Sequence, residues 1–428
     1  MEEIFQLLWA GRMLGLPLTL INGESVKVID PGTLNRDSGP DFFNAKVKIG
    51  DKTWAGNIEI HMKASDWHRH GHDDDPAYGN VILHVVAVSD TIIVRGDGSE
   101  IPQLAVSLPK NFYETFAYLT SSVPEIRCAS HIHKVDSLRR TDWLESLTLE
   151  RLQQKASRIE DILRDRNGDW NAACFVTLAR GLGFGLNSLP FEMLANSINL
   201  NHLRRHTDNI LQMEAIFFGQ AALLDPMVYR DDQRYQLMCR EYQFLARKYG
   251  LHPIPRSCWK FAKTRPQNLP YRRIALLAKG MAETPDLLNK IINSEGDEDR
   301  LRSLFQWKVD PYWSRRLSFG SAGMGQANPP SLSEASINIL LINVVAPLLY
   351  TYALLHSDHE LKESAVNLLL ILPSERNAIV RSWQQLGFNP KDAAGSQALI
   401  HLRKEYCDRH ECLRCRFGCQ LLRKEAVR

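Results

Sequence analysis

Apolar and polar positions follow two different rhythms along this chain of 428 residues, and the change falls near residue 130. Over 1–15, Ile4, Leu7, Leu8 and Trp9 recur at helical spacing behind Glu2 and Glu3, so a short amphipathic helix is predicted with its acids at the positive end of the peptide dipoles. From Leu18 the pattern becomes that of strands. Segments 18–29, 43–50, 53–63, 80–88 and 91–95 are short, rich in Val, Ile and Thr, and bounded by Asn-Gly, Pro-Gly, Gly-Asp and Ser-Asp turn signals. They predict a mostly antiparallel sheet behind one helix.

Beyond about residue 135 the strand pattern stops. Leu149, Leu152, Ala156, Ile159 and Leu163 form the apolar seam of a charged helix, and helical patterns recur at 190–225, 230–249, 272–294, 297–307, 333–356, 359–371, 374–386 and 392–406. The expected architecture is an α/β domain over 1–130 and a larger all-α domain over 131–428 that ends in a cysteine-rich tail, 401–428. The charge-free run Ile337–Leu355 contains Asn338, Asn343 and Pro347, and is read as a buried helix broken at the proline, not as a membrane span. GLGFG at 181–185 lacks the Lys-Ser/Thr of a phosphate loop and follows a helix, so it is read as a helix break.

Composition narrows the function classes. An apolar content of 44% excludes a disordered tail, and this length removes the need for disulfide staples. Lys plus Arg number 52 and Asp plus Glu 49, a net charge of +3, so any polyanion site must be local. The amino-terminal residues show no apolar stretch with a cleavage site; a cytoplasmic protein with no membrane partner is expected.

The densest candidate chemistry lies in the strand region. Asp41 follows Gly39-Pro40, while Glu59, His61 and Lys63 alternate along one strand, so they share a face opposite Ile58, Ile60 and Met62. Asp41 and Glu59 are the pair of hard oxygen ligands that Mg²⁺ or Mn²⁺ requires, with the Ile60 carbonyl as a further one. His61 and Lys63 are the groups to orient or deprotonate an attacking water, or to stabilise charge on a phosphate.

This arrangement, Pro40-Asp41 followed by Glu59-Ile60-His61, resembles the PD-(D/E)XK nuclease superfamily, with Glu2 or Glu3 as an extra acid. The resemblance implies a restriction-endonuclease-like mixed sheet with a leading helix, and metal-dependent hydrolysis of phosphodiester bonds. His61 stands where that superfamily has Lys, and Lys63 lies one step further along the same face. The chain also resembles a family of bacterial proteins of about this length with no assigned activity, through Gly39-Pro40-Asp41-Phe42, Gly56 to His61, Ser65 to His72, Asn80 to Val86, Arg265 to Arg273 and the carboxy-terminal cysteines. That second resemblance bears on architecture.

Two other functions compete with a nuclease. One is a catalytically inactive nucleic-acid or protein-interaction module on the same fold. The other is a histidine-metal hydrolase acting on a small substrate, since His61, His68, His70, His72 and His84 gather with Asp66, Asp73, Asp74 and Asp75, a set suited to Zn²⁺, Mn²⁺ or Fe²⁺. A candidate nucleic-acid surface is the acid-free segment 256–273, with Arg256, Lys260, Lys263, Arg265, Arg272 and Arg273 around Trp259, Phe261 and Tyr271. In the tail, Cys407, Cys412, Cys415 and Cys419 suggest Zn²⁺ or an iron–sulfur cluster, or reduced thiols that simply pack.

Overall fold

Ile4, Phe5, Leu8 and Trp9 are buried along helix α1 (Glu2–Ala10), and the Trp9 indole N–H donates to the Pro31 carbonyl at 2.9 Å. The computed structural model describes residues 2–426 other than 13, 15, 16, 36, 109, 121–124, 263, 265–267 and 322–329. The chain divides into two units, Met1–Trp143 together with Leu402–Arg428, and Leu144–His401. The cysteine-rich tail, expected to close the helical domain, thus belongs to the first unit.

That unit is built on a seven-stranded sheet: β1 (Leu18–Thr19), β2 (Ser25–Asp30), β3 (Thr33–Leu34), β4 (Phe42–Ile49), β5 (Lys52–Lys63), β6 (Val81–Val88) and β7 (Gln103–Ala105). The order is β1-β2-β4-β5-β6-β7, with β3 also on β4. Pairings up to β5 are antiparallel, whereas β5–β6 and β6–β7 are parallel. The sheet is therefore mixed: mostly antiparallel, as the strand pattern predicts, but parallel from β5 to β7. The reason is the connection after β5. It holds helix α2 (Asp66–Arg69) and a 3₁₀ turn, Pro76–Tyr78, enough chain for a crossover that returns β6 in the direction of β5.

Two local features aim the strands. The β4–β5 register shifts between Phe42 and Ala45, where Asn44 has φ 57°, a bulge that re-aims the start of β4. At Gly56 a Cβ would lie 2.4 Å from Ile82 Cγ2, so only glycine lets β5 and β6 approach there. The strand expected at 91–95 reduces to one bridge, Val94 to Glu100, and helix α3 (Lys110–Thr120) arises where none was predicted.

The second unit is helical around one apolar core. Helix α4 (Ser137–Asp165) carries the predicted seam, with Leu152, Ala156, Ile159 and Leu163 buried, but Leu149 is 44% exposed. The charge-free run does not break at Pro347. It forms one helix, Glu334–His356, in which a π-turn at Leu341–Val345 just ahead of the proline absorbs the missing N–H and the ring's bulk. This helix is long and apolar enough to cross a membrane, but 67% of its most apolar window is buried.

Candidate metal centre

The parallel register sets Glu59 opposite His84 and His61 opposite Val86, so Glu59, His61 and His84 share one face of the sheet. The crossover loop is pinned over that face by its aromatics. Trp67 and Tyr78 are buried with Val81, Ile93 and Ile101, and the His72 ring stacks on Tyr78 at 3.7 Å.

The result is a ring of nitrogens around one point. His61 Nε2 lies 3.2 Å from His70 Nδ1 and 3.3 Å from Glu59 Oε1, and His72 Nε2 lies 3.5 Å from that same oxygen. The ligand nitrogens of His61, His70 and His72 all fall within 4.8 Å of one another. Behind them His61 Nδ1 and His84 Nε2 share a hydrogen bond of 2.9 Å, which fixes the His61 ring. His72 Nε2 and His84 Nδ1 are buried with no hydrogen-bond partner.

The carboxylates interlock beside the rings. The Asp41 amide donates to Glu59 Oε2 at 3.1 Å, the Ile60 amide donates to Asp41 Oδ2 at 2.9 Å, and Gln6 Nε2 donates to Asp41 Oδ1 at 2.7 Å. Burial, then the Asp41 charge, push the Glu59 pKa up to about 9. Burial raises Asp41 to about 6, against the pull of the Ile60 amide, with Glu2 adding repulsion. The rings move the other way. Burial lowers His61 to about 2, with His84, His70 and His72 adding repulsion, and burial lowers His84 to about 4, with His72 adding to it. Imidazoles held neutral next to crowded carboxylates are the state a divalent cation binds and relieves.

The anticipated residues separate into those inside this cluster and those outside. Asp41, Glu59 and His61 are together, joined by His70 and His72. Lys63 is exposed at the end of β5 and bears on Asp90, because strand twist and the turn at Ala64 carry it off the buried face. His68 turns outward to Asp73, 2.8 Å away. Glu2 lies within electrostatic reach of both carboxylates, whereas the Glu3 side chain is outside the described residues. Gln6 was not anticipated, although its i,i+4 spacing from Glu2 on an otherwise apolar helix was a visible signal.

The basic segment is reduced as a surface. Arg272 and Arg273 are 2% and 3% exposed inside the helix Pro270–Glu283, and Arg273 stacks 4.2 Å from the Phe184 ring. Trp259 is buried too, donating to the Ala221 carbonyl, so the core takes the ring proposed for base stacking. Lys263 and Arg265 lie outside the described residues, while Arg256 and Lys260 are exposed. In the tail Cys407, Cys412, Cys415 and Cys419 are free thiols, and Cys419 Sγ donates to the Leu413 carbonyl at 2.9 Å.

Fold and site together define a class: a mixed-sheet unit whose histidine and carboxylate cluster is suited to a metal ion, followed by a helical unit. The chain belongs to the family described as protein of unknown function (DUF2851), whose model matches residues 2–378. No curated protein and no solved structure matches it, and nothing in these comparisons ties it to the PD-(D/E)XK nucleases.

Proposed function

We propose that this protein is a metal-dependent hydrolase of phosphate esters, with a transition-metal ion held by His61, His70, His72 and Glu59. The observation that carries this reading is the convergence of three imidazole nitrogens within 4.8 Å, beside Glu59 Oε1. Imidazole-rich sites favour Zn²⁺, Mn²⁺ or Fe²⁺ over Mg²⁺. The partners of Glu59 and the three rings at these distances are backbone amides, carboxylates and other histidines, so a metal-activated water is the natural nucleophile. His70 is exposed, which leaves that side of an ion open to water and substrate. Asp41 stands ready to accept the proton the water releases.

A second reading, nucleic-acid cleavage with Mg²⁺ on Asp41 and Glu59, is favoured by the mutual capping of these two carboxylates by amides from the facing segments. One experiment separates the two. The full chain is stripped with chelator, titrated calorimetrically with Zn²⁺, Mn²⁺ and Mg²⁺, and assayed on an aryl phosphodiester and on labelled single- and double-stranded DNA and RNA. The expected result is transition-metal binding weakened more than about 100-fold in His72→Ala, since loss of even an outer-shell partner costs about 10–100-fold. Hydrolysis should disappear in Glu59→Ala. Equal metal affinity in wild type and His72→Ala would sink the histidine site, and Mg²⁺-dependent nucleic-acid cleavage surviving in His72→Ala would install the second reading.

A further inference from the structure

We propose that Cys128, Cys407, Cys412 and Cys415 form a four-thiolate site for an iron–sulfur cluster, with Cys419 outside it. This inference concerns other residues of the first unit than those of the histidine centre. The tail alone offers Cys-x4-Cys-x2-Cys-x3-Cys, and adjacency in sequence would nominate Cys419 as the fourth ligand. The fold nominates a different thiol. Cys128 sits in a turn closed by the His131 amide on its own carbonyl at 3.0 Å, just before the 3₁₀ turn Ile132–Lys134 on which the terminal helix Arg416–Ala426 packs. Cys412 and Cys415 both bear electrostatically on Cys128, and Cys128, Cys415 and Cys412 all bear on Cys407. Cys419 also bears on Cys415, but its S–H is spent on the Leu413 carbonyl.

The surroundings are those of a thiolate centre. Cys415 immediately precedes the terminal helix, and the Phe417 and Gly418 amides are directed at its sulfur, the placement that stabilises a thiolate at a helix start. A Cβ on Gly418 would lie 2.0 Å from the Cys412 carbonyl oxygen, so glycine is what allows the loop to fold back on the helix. The buried Trp143 indole N–H is directed at the Cys415 sulfur, a donor that favours the thiolate there. Arg127 bears on Cys412 and Arg403 on Cys407, placing cations beside what would be a net negative group.

The spacing of the cysteines along the chain selects the occupant. Zinc sites draw their thiols as close pairs separated by a longer loop, a spacing that the tail lacks. Cys-x4-Cys-x2-Cys with a fourth thiol distant in sequence is a spacing that wraps an iron–sulfur core.

The test is iron and acid-labile sulfide analysis of the full chain purified without oxygen, with its visible absorption spectrum, for wild type, Cys128→Ser and Cys419→Ser. Circular dichroism of each variant checks that it is folded. Iron and sulfide present in wild type, retained in Cys419→Ser and lost in folded Cys128→Ser, are expected. Zinc in place of iron and sulfide, a metal-free tail, loss in Cys419→Ser, or full retention in Cys128→Ser would each overturn the proposal. Should Cys128→Ser not fold, Cys412→Ser takes its place as the variant expected to lose the cluster.

Discussion

Two buried polar clusters, one in each unit, are built in opposite ways. In the helical unit Glu214, 1% exposed, accepts the Trp313 indole N–H at 2.9 Å and Arg234 Nη2 at 2.8 Å, while Asp310 stands 3.4 Å from the same guanidinium. Burial raises the Glu214 pKa and Arg234 works against the rise. Around His61 the matching is far poorer. Asp41 repels Glu59, Glu2 repels both, and four histidines crowd one another around the single oxygen Glu59 Oε1, 3.3 Å from His61 and 3.5 Å from His72. A buried group matched by its opposite needs nothing further and ties helices together. A set of like charges out of water costs folding free energy unless a ligand arrives to compensate it, and such a site is kept for what it binds.

The sharpest way to break this contrast is to neutralise one carboxylate on each side. Glu214→Gln takes the buried acid from Arg234, which keeps Asp310 3.4 Å away, and should cost about 3 kcal/mol. Glu59→Gln in chelator removes a repulsion while keeping an acceptor oxygen, and should change stability by less than about 1 kcal/mol. Urea unfolding midpoints of the two variants measure both. Equal losses would mean that the sheet cluster is an ordinary structural network.

His84→Phe probes the next level, the support behind the rings. His84 is fully buried and the one hydrogen bond of its ring among the described residues is to His61 Nδ1, so phenylalanine keeps the volume and deletes the tether. Metal affinity should fall by about 10–100-fold with the fold intact, a smaller loss than removing a ligand ring. Calorimetric titration with Zn²⁺ reads it. An unchanged affinity would show that His61 needs no orienting partner and would weaken the assignment of its Nε2 to the metal.

Much of this site is legible in the order of residues alone. Alternation along 58–63 puts Glu59 and His61 on one face, and the strand at 80–88 carries His84. What alternation does not supply is the loop's path. His70 and His72 enter the cluster, and His68 leaves it, because Trp67 and Tyr78 anchor the crossover, a tertiary fact with no local period. The parallel direction of β6 depends on that crossover too. In the helical unit the limits are similar: the seam of α4 follows from spacing, but the survival of the helix through Pro347 depends on a π-turn that no propensity announces. The tail shows the limit most clearly, since nearness in sequence picks Cys419 and the fold picks Cys128.

Arg272 supplies the smallest expected effect and the most direct check on the basic segment. A cation is useful to a polyanion only if solvent and phosphate can reach it, and Arg272 is 2% exposed with Nη1 unpartnered. Burial lowers its pKa. Methionine fills much the same volume without a charge to desolvate, so Arg272→Met should leave stability unchanged or raise it by about 1 kcal/mol. Any affinity for single-stranded oligonucleotides should stay within about twofold of wild type, whereas the double variant of the exposed Arg256 and Lys260 to alanine should lower both the affinity and its salt dependence. A large loss of oligonucleotide binding in Arg272→Met would mean that the helix Pro270–Glu283 opens to admit the ligand, and the two buried arginines would then belong with the exposed pair as one binding surface.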